Sequence, residues 1–594
     1  MQLNRKIYPA LFLIILLRLD VNSQPTFTRI TDPNNPAVTD AYESTGACWV
    51  DLNNDGYLDL FVSNGNLTSQ NNSLYINNHI GGFIKVTTGA IVNDGGTSIG
   101  GTCGDFNNDG NLDLFVTNRN NFGNFLYMGN GDTTFTKITT GSIVTDMFNS
   151  NSSGWTDINR DGWVDLFVVN FQQNDILYLK MPTQNFIFFR IDTAAFLLDG
   201  TNFSIDGQWA DFNNDRYPDF FIGNAGTQND FIYRNNWNLT FNKNILNDAR
   251  ATLGASWGDF NNDGYLDLLT TSFLNQKSRL YINSGPSNYD LTPIDTGIVS
   301  NDPANSVGSC WGDFDNDGDL DLFIANDGTQ SGFLYINSGP PGYAFTKVTT
   351  GVIVNNIGNS FGCACGDYDN DGQLDIYVAN RLNQQNFLFH NNGNNNKWIT
   401  IKCIGISSNT AAIGTKVRVK ALINGLPVWQ MQEIVPQTGY NSQSLWLHFG
   451  LGNATIIDSI KVEWINGLTH YFTNVNTNNN ITISENGNII GINAISTKIP
   501  NGYHLSQNYP NPFNPNTKIR FQLPKSGFAN MTVYDILGRE IATLVNEELS
   551  PGTYEVNWDA SNYSSGIYFY TLNAGEPSVD GQVYKETKKM LLIK

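Results

Sequence analysis

Short apolar runs, four or five residues long and split by Gly- and Asn-rich stretches, recur along the first two thirds of the chain. LFVSN follows Asp59 and LFIAN follows Asp321. A second run comes next, LYIN at Leu74 and Leu334, FLYM at Phe125 and FIYR at Phe231. A third reads FIKV at Phe83, FTKI at Phe135 and FTKV at Phe345. A fourth leads back to the start of the cycle, often through Trp-Gly or Cys-Gly. No stretch of this region shows helical periodicity. Four short strands per unit, separated by turn residues, predict propeller blades in an all-β protein.

The cycle has a marker. DLNNDGYLD at Asp51 returns as DFNNDGNLD at Asp105, DINRDGWVD at Asp157, DFNNDRYPD at Asp211, DFNNDGYLD at Asp259, DFDNDGDLD at Asp313 and DYDNDGQLD at Asp367. The spacings are 54, 52, 54, 48, 54 and 54 residues. Seven units at this regularity predict a seven-bladed β-propeller over residues 25–396. The seventh lacks its third run, whereas FTRI at Phe27 precedes the first marker without a partner. The N-terminal strand is therefore expected to complete the last blade and remove the open edges. A linear solenoid is the competing arrangement.

The marker D-x-[ND]-x-D-G-x-x-D also carries chemistry. Side-chain oxygens at positions 1, 3, 5 and 9 and a backbone carbonyl at position 7 can converge on one ion, and Gly at position 6 supports the left-handed bend. Oxygen ligands in this number suit Ca2+ better than magnesium or zinc. The candidate ligands are Asp51, Asn53, Asp55, Tyr57 and Asp59; Asp105, Asn107, Asp109, Asn111 and Asp113; Asp157, Asn159, Asp161, Trp163 and Asp165. They continue with Asp211, Asn213, Asp215 and Asp219; Asp259, Asn261, Asp263, Tyr265 and Asp267; Asp313, Asp315, Asp317, Asp319 and Asp321; and Asp367, Asp369, Asp371, Gln373 and Asp375. Asn/Asp turns without metal would look similar. Charge argues for a cation, because two carboxylates about 4 Å apart repel by roughly 4 kcal/mol at an effective dielectric of ~20. An EF-hand is excluded, since position 12 is Val62, Val116, Val168, Ile222, Thr270, Ile324 or Val378 rather than Glu. Six loops keep the pattern. The fourth has Arg216 in place of Gly, then Pro218, and is expected to be empty or of low affinity; Arg160 is a milder departure in the third. These units resemble the FG-GAP/VCBS repeats of integrin α-chain-type propellers. The resemblance implies seven blades with structural ions in blade loops and a ligand face built from other loops.

From residue 397 the cycle stops. WITIKC at Trp398, TKVRVK at Thr415 and IKVEWI at Ile460 predict a small β domain over 397–486. SNTAAIGTKVRV, SLWLHFGLG ending at Gly452 and VEWINGLTH resemble the ASPIC/UnbV domain, with Thr410 where that family often has Arg. A linker is expected at 487–500. The remaining segment, 501–594, runs through NYPNPFNPNTKIRFQL at Asn508, VYDILGREIATLV at Val533, GTYEVNWDA at Gly552, SSGIYFYTL at Ser564 and KKMLLIK at the C-terminus. It resembles the type A C-terminal sorting domain of the type IX secretion system, expected as an immunoglobulin-like β-sandwich. That resemblance implies export by the type IX machinery of a Gram-negative, Bacteroidetes-type bacterium, with release or retention at the surface.

Composition narrows the picture. The net charge of −21 argues against nucleic-acid binding, which needs a basic face, and seven calcium ions would move it to −7. Arg5 and Lys6 ahead of the apolar run Ala10–Leu17, with Val21-Asn22-Ser23 after it, predict a signal peptide over 1–23. No later run reaches membrane-spanning length, and a monomer is expected. Of the six cysteines, Cys48, Cys103, Cys310 and Cys365 sit two or three residues before a marker, as small buried strand residues would; Cys363 and Cys403 complete the set. No CxxC or HExxH occurs. GTSIG at Gly96 and GNSFG at Gly358 match the nucleophile elbow by letters but fall at one repeat position, in blade turns. The expectation is a non-catalytic adhesion module for an extracellular glycan or protein, with Trp155, Trp163, Trp209, Trp237 and Tyr265 as contact candidates or core residues. The alternative is a polysaccharide-degrading enzyme on a calcium-stabilised propeller.

Overall fold

A computed structural model describes residues 24–182, 187–191, 203–437, 440–490, 492–496, 500–525, 527–549, 551–560, 563–575 and 584–594. The expected signal peptide lies outside the described residues. Seven four-stranded antiparallel sheets make up the first part of the described chain. Their inner strands are Ser44–Val50, Ser98–Gly104, Ser150–Thr156, Ser204–Ala210, Thr252–Gly258, Ser306–Gly312 and Ser360–Gly366. Each inner strand packs on the next, and the last packs on the first, so the sheets close into a ring. The seal is the N-terminal strand Phe27–Arg29, which pairs antiparallel with Phe387–Asn391, Phe27 opposite Asn391. The solenoid arrangement is thereby ruled out.

Small residues line the axis because inner strands approach each other there. A Cβ on Gly362 would lie 2.6 Å from the Thr45 carbonyl oxygen. Cys48, Cys103, Cys310, Cys363 and Cys365 occupy such inner-strand positions; they and Cys403 are buried and unpaired. Indoles lock neighbouring sheets. Nε1 of Trp49 donates to the Ala364 carbonyl, that of Trp155 to Thr102 and that of Trp209 to Gly154, each in the preceding sheet. On the rim where each outer loop returns to the axis, two-stranded sheets such as Phe122–Gly123 with Met147–Phe148 clamp adjacent blades.

The second domain holds two four-stranded sheets. One orders Leu447–Gly452, Lys397–Ile404, Asn479–Ser484 and Ile489–Ile490; the other Leu426–Glu433, Lys416–Ile423, Ile456–Glu463 and Thr469–Asn476. The third domain also pairs two sheets, around Phe521, Met531, Trp558, Tyr570 and Met590. The linker expected at 487–500 needs correction. Ile489–Ile490 completes a sheet of the second domain, and Ile492–Ser496 pairs with Gly552–Asp559 of the third. Ile-rich sequence there satisfies its backbone in sheets on both sides instead of remaining a free tether.

Candidate metal loops and the capped face

Every acidic marker forms the turn between the inner strand and the next strand of its blade. The left-handed bend at position 6 is present, with φ of 86° at Gly56 and 101° at Gly318, and Arg216 is forced to 70°. In the sixth loop the amides of Asp317 and Gly318 donate to the two oxygens of Asp313 at 3.0 and 2.7 Å. Phe314 and Asn337 amides donate to Asp321. Position 7 helps to fix the turn through its amide, as Tyr57 to Asp55 at 2.9 Å and Gln373 to Asp371 at 2.8 Å. In the first loop Asn53 at position 3 donates its amide to Asp55.

These bonds leave acceptor capacity. Both oxygens of Asp315 are buried without a hydrogen-bond partner, and oxygens of Asp313, Asp315 and Asp321 lie within 4.8 Å of one another. Burial, then the neighbouring carboxylates, raises Asp313 and Asp321 well above the ordinary range; Asp319 is pushed up to about 8 and Asp315 to about 6. Such a group must keep protons or hold a cation. Asp367, Asp369 and Asp371 of the seventh loop form a similar cluster, with an orphaned oxygen on Asp369. Asp219 and Asp267 each keep one orphaned oxygen. The sixth loop thus has the donor set a hard divalent cation requires, and the seventh approaches it.

The loops are not equivalent. His79 Nε2 is 2.9 Å from Asp55, and Lys402 Nζ is 3.7 Å from Asp51, in the first. His390 Nδ1 lies 3.2 Å from Asp375 and 3.4 Å from Asp369 in the seventh. Lys416 Nζ sits 2.9 Å from Asp211 in the fourth.

A second set of residues escaped sequence reasoning. Asn at position 4 adopts left-handed φ between 54° and 59° at Asn54, Asn108, Asn214, Asn262, Asn316 and Asn370. Its side-chain amide reaches the next blade. Asn108 donates to the Gly162 carbonyl, Asn214 to Gly264, Asn262 to Gly318, Asn316 to Gly372 and Asn370 to Gly56, all at 2.8–3.0 Å. Asn54 bonds the Asn111 side chain instead. Arg160 interrupts the circle and lies over the Tyr217 ring. The signal was the recurrence of Asn itself at position 4.

The second domain covers this loop face. Thr410 N–H donates to Asn108, His448 Nε2 lies 2.7 Å from Asn316 Oδ1, and the Gly452 amide donates to the Asn316 carbonyl. A segment of the domain descends into the axis. The Ser442 amide donates to Ala47 O and its carbonyl accepts from Trp49, Asn441 accepts from the Ala47 amide, and Gln437 Nε2 donates to Gly207 O. Tyr440 packs with Ile99, Ile205, Val307 and Phe361, its ring 5.0 Å from that of Phe361. The described residues of this segment thus plug the axis between the inner strands.

Of the aromatic candidates, Trp155 and Trp209 are core, and Trp209 lines a cavity of about 130 Å³ between ring and cap with Trp257, Trp311 and Trp446. Trp163 and Tyr265 are half-buried at the loops; Trp237 is 70% exposed. Ser98 and Ser360 of the elbow look-alikes are buried, each donating to an Asn of the adjoining strand.

Comparison with known families matches this order of parts. The FG-GAP-like repeat family matches residues 51–116, 105–168, 157–222, 211–270 and 313–378; ASPIC and UnbV matches 405–489; the secretion system C-terminal sorting domain matches 507–586. FG-GAP-like repeats, an ASPIC/UnbV domain and a sorting domain follow one another in this chain. Cartilage acidic protein 1 of Xenopus tropicalis is 33% identical over 114 residues, 19% of this chain and 17% of that protein. Among solved structures, an Agrocybe aegerita lectin aligns over 59% of this chain and 90% of its own at 14% identity and TM-score 0.38. The V. cholerae biofilm matrix protein Bap1 aligns over 91% and 92% at 10% identity and TM-score 0.30. The sorting domain marks this FG-GAP propeller for type IX export to the cell surface or beyond in Bacteroidetes. Among the described residues no helix is long and apolar enough to cross a membrane.

Proposed function

We propose that the chain is a calcium-stabilised, non-catalytic adhesion module that takes an extracellular glycan or protein on the ring face opposite the cap. One observation carries this reading: the ASPIC/UnbV domain covers the loop face and plugs the axis with Tyr440, while side chains on the opposite ring face are exposed among the described residues. That face carries the turns between the second and third strands of each blade and the returns to the axis. Its side chains include Leu67, Phe122, Met147, Leu274, Ile357 and Leu382, all exposed. Apolar groups left in water on a rigid frame favour a contact surface. In the sixth loop, Asp313, Asp315, Asp317 and Asp321 with the Asp319 carbonyl would hold Ca2+, which would neutralise the crowded acids and stiffen the turn.

The test is a glycan array and a surface-protein capture with the mature chain, repeated with chelator and with F122S/L382S. Saturable binding, weakened by both treatments and leaving the ligand intact, is expected. Binding that persists in F122S/L382S would remove the open face from the account, and ligand cleavage would favour a polysaccharide-degrading enzyme.

A further inference from the structure

In the fourth loop a candidate metal ligand, Asp211, is already engaged by the second domain. Lys416 opens the strand Lys416–Ile423 and is 4% exposed. Its Nζ lies 2.9 Å from Asp211 Oδ2 and also donates to the Asp211 carbonyl and to Asn214 Oδ1. All three ammonium hydrogens are thereby directed at the loop. Glu433, the cross-strand partner of Lys416, accepts the Asp211 amide at 3.1 Å and stands 4.0 Å from Nζ. Arg216, at the position where the other loops have Gly, turns outward and donates to the Gly467 carbonyl at 2.7 Å and to Thr469 Oγ1 at 3.2 Å. Arg418 reaches Asn214 as well. Charged groups of both partners thus meet at this loop, whereas the sixth loop meets backbone at Gly450 and Gly452 and the buried His448.

We propose that the fourth acidic loop is a docking socket, in which the Lys416 ammonium engages Asp211, a carboxylate that a metal ion would need, and locks the second domain onto the ring. A divalent ion there would have to share Asp211 with an ammonium already in hydrogen-bond contact, and like charges at that range exclude each other. Arg216 then has a role: it is the sequence change that abandons the ion and adds a second tie to the cap.

The mature full chain tests this by calcium content after equilibration and desalting, and by the rate at which a protease separates the ring from the second domain. D313N is expected to lose one calcium per chain and D211N none. K416M is expected to be cleaved on the order of a hundredfold faster, because removing one member of a buried pair strands the other's charge. K416M/D211N removes both charges and should fall well back toward the wild-type rate; it also keeps the measurement readable if K416M alone does not fold. Loss of one calcium in D211N overturns the proposal, as does a K416M rate equal to wild type. If D313N too keeps its calcium content, the calcium reading of the ring fails, and the cleavage rates alone decide the role of Lys416.

Discussion

Asp206 sits on the inner strand Ser204–Ala210, fully buried, with Gln208 Nε2 at 2.9 and 3.0 Å and the Ala255 amide at 2.7 Å. It belongs to no metal loop. Burial pushes it up to about 7 and the hydrogen bonds hold it back from going further. The folded state therefore binds this proton more tightly than the unfolded chain. Its contribution to stability is complete below the ordinary value of 3.8 and is lost as pH rises through about 7. Urea unfolding in saturating calcium between pH 4 and 7 should show a shallower loss of stability with rising pH in D206N than in wild type. Equal slopes would mean that the carboxylate is not proton-linked to folding. Residues were legible in the sequence wherever their partners lie within one turn, as Asp51, Asp55 and Asp59 do. The position-4 asparagines were not, because Asn108 spends its bond on a carbonyl 54 residues away. Lys416 was invisible for the same reason, being 205 residues from Asp211.

At the scale of elements, the blade strands were readable because each has its own apolar run between turn residues. The closing strand Phe27–Arg29 was readable through a missing partner. The plug was not, since nothing local distinguishes a loop that enters a channel from one that stays in solvent; the room is made by glycines of the inner strands, Gly46, Gly100, Gly154 and Gly362 among them. A Cβ on Gly46 would lie 2.4 Å from the Tyr440 carbonyl oxygen. Tyr440 is 2% exposed and packs among the inner-strand side chains Ile99, Ile205, Val307 and Phe361. Truncation to alanine leaves a cavity the closed ring cannot collapse into, so Y440A should destabilise the capped ring by about 3 kcal/mol. Chemical denaturation checks this. A loss below about 0.5 kcal/mol, the size of an ordinary surface change, would mean that the segment merely rests in the channel.

For the whole molecule the question is which parts share a fate. One buried cluster runs from Phe106, Trp155 and Val164 of the second and third blades into Ile401, Val417 and Trp464 of the ASPIC/UnbV domain. The sorting domain has a core of its own, built on Phe521, Met531 and Tyr570. The order of the parts could be read along the chain, but their coupling could not, because it depends on which faces meet. Ring and cap should therefore melt as one unit and the sorting domain as another. Ions in the acidic loops would stabilise only the first unit, by RT ln(1 + [L]/Kd), which reaches about 2.7 kcal/mol per site at a hundredfold excess over Kd. Scanning calorimetry should show one transition that falls by many degrees when EGTA replaces calcium, and a second that stays in place. Cleavage between the units before the scan should leave both midpoints where they were. If EGTA moved neither transition, the crowded carboxylates would have to be satisfied by protons and hydrogen bonds alone. If it lowered the sorting-domain transition equally, the ring's acidic loops would not be where the metal acts.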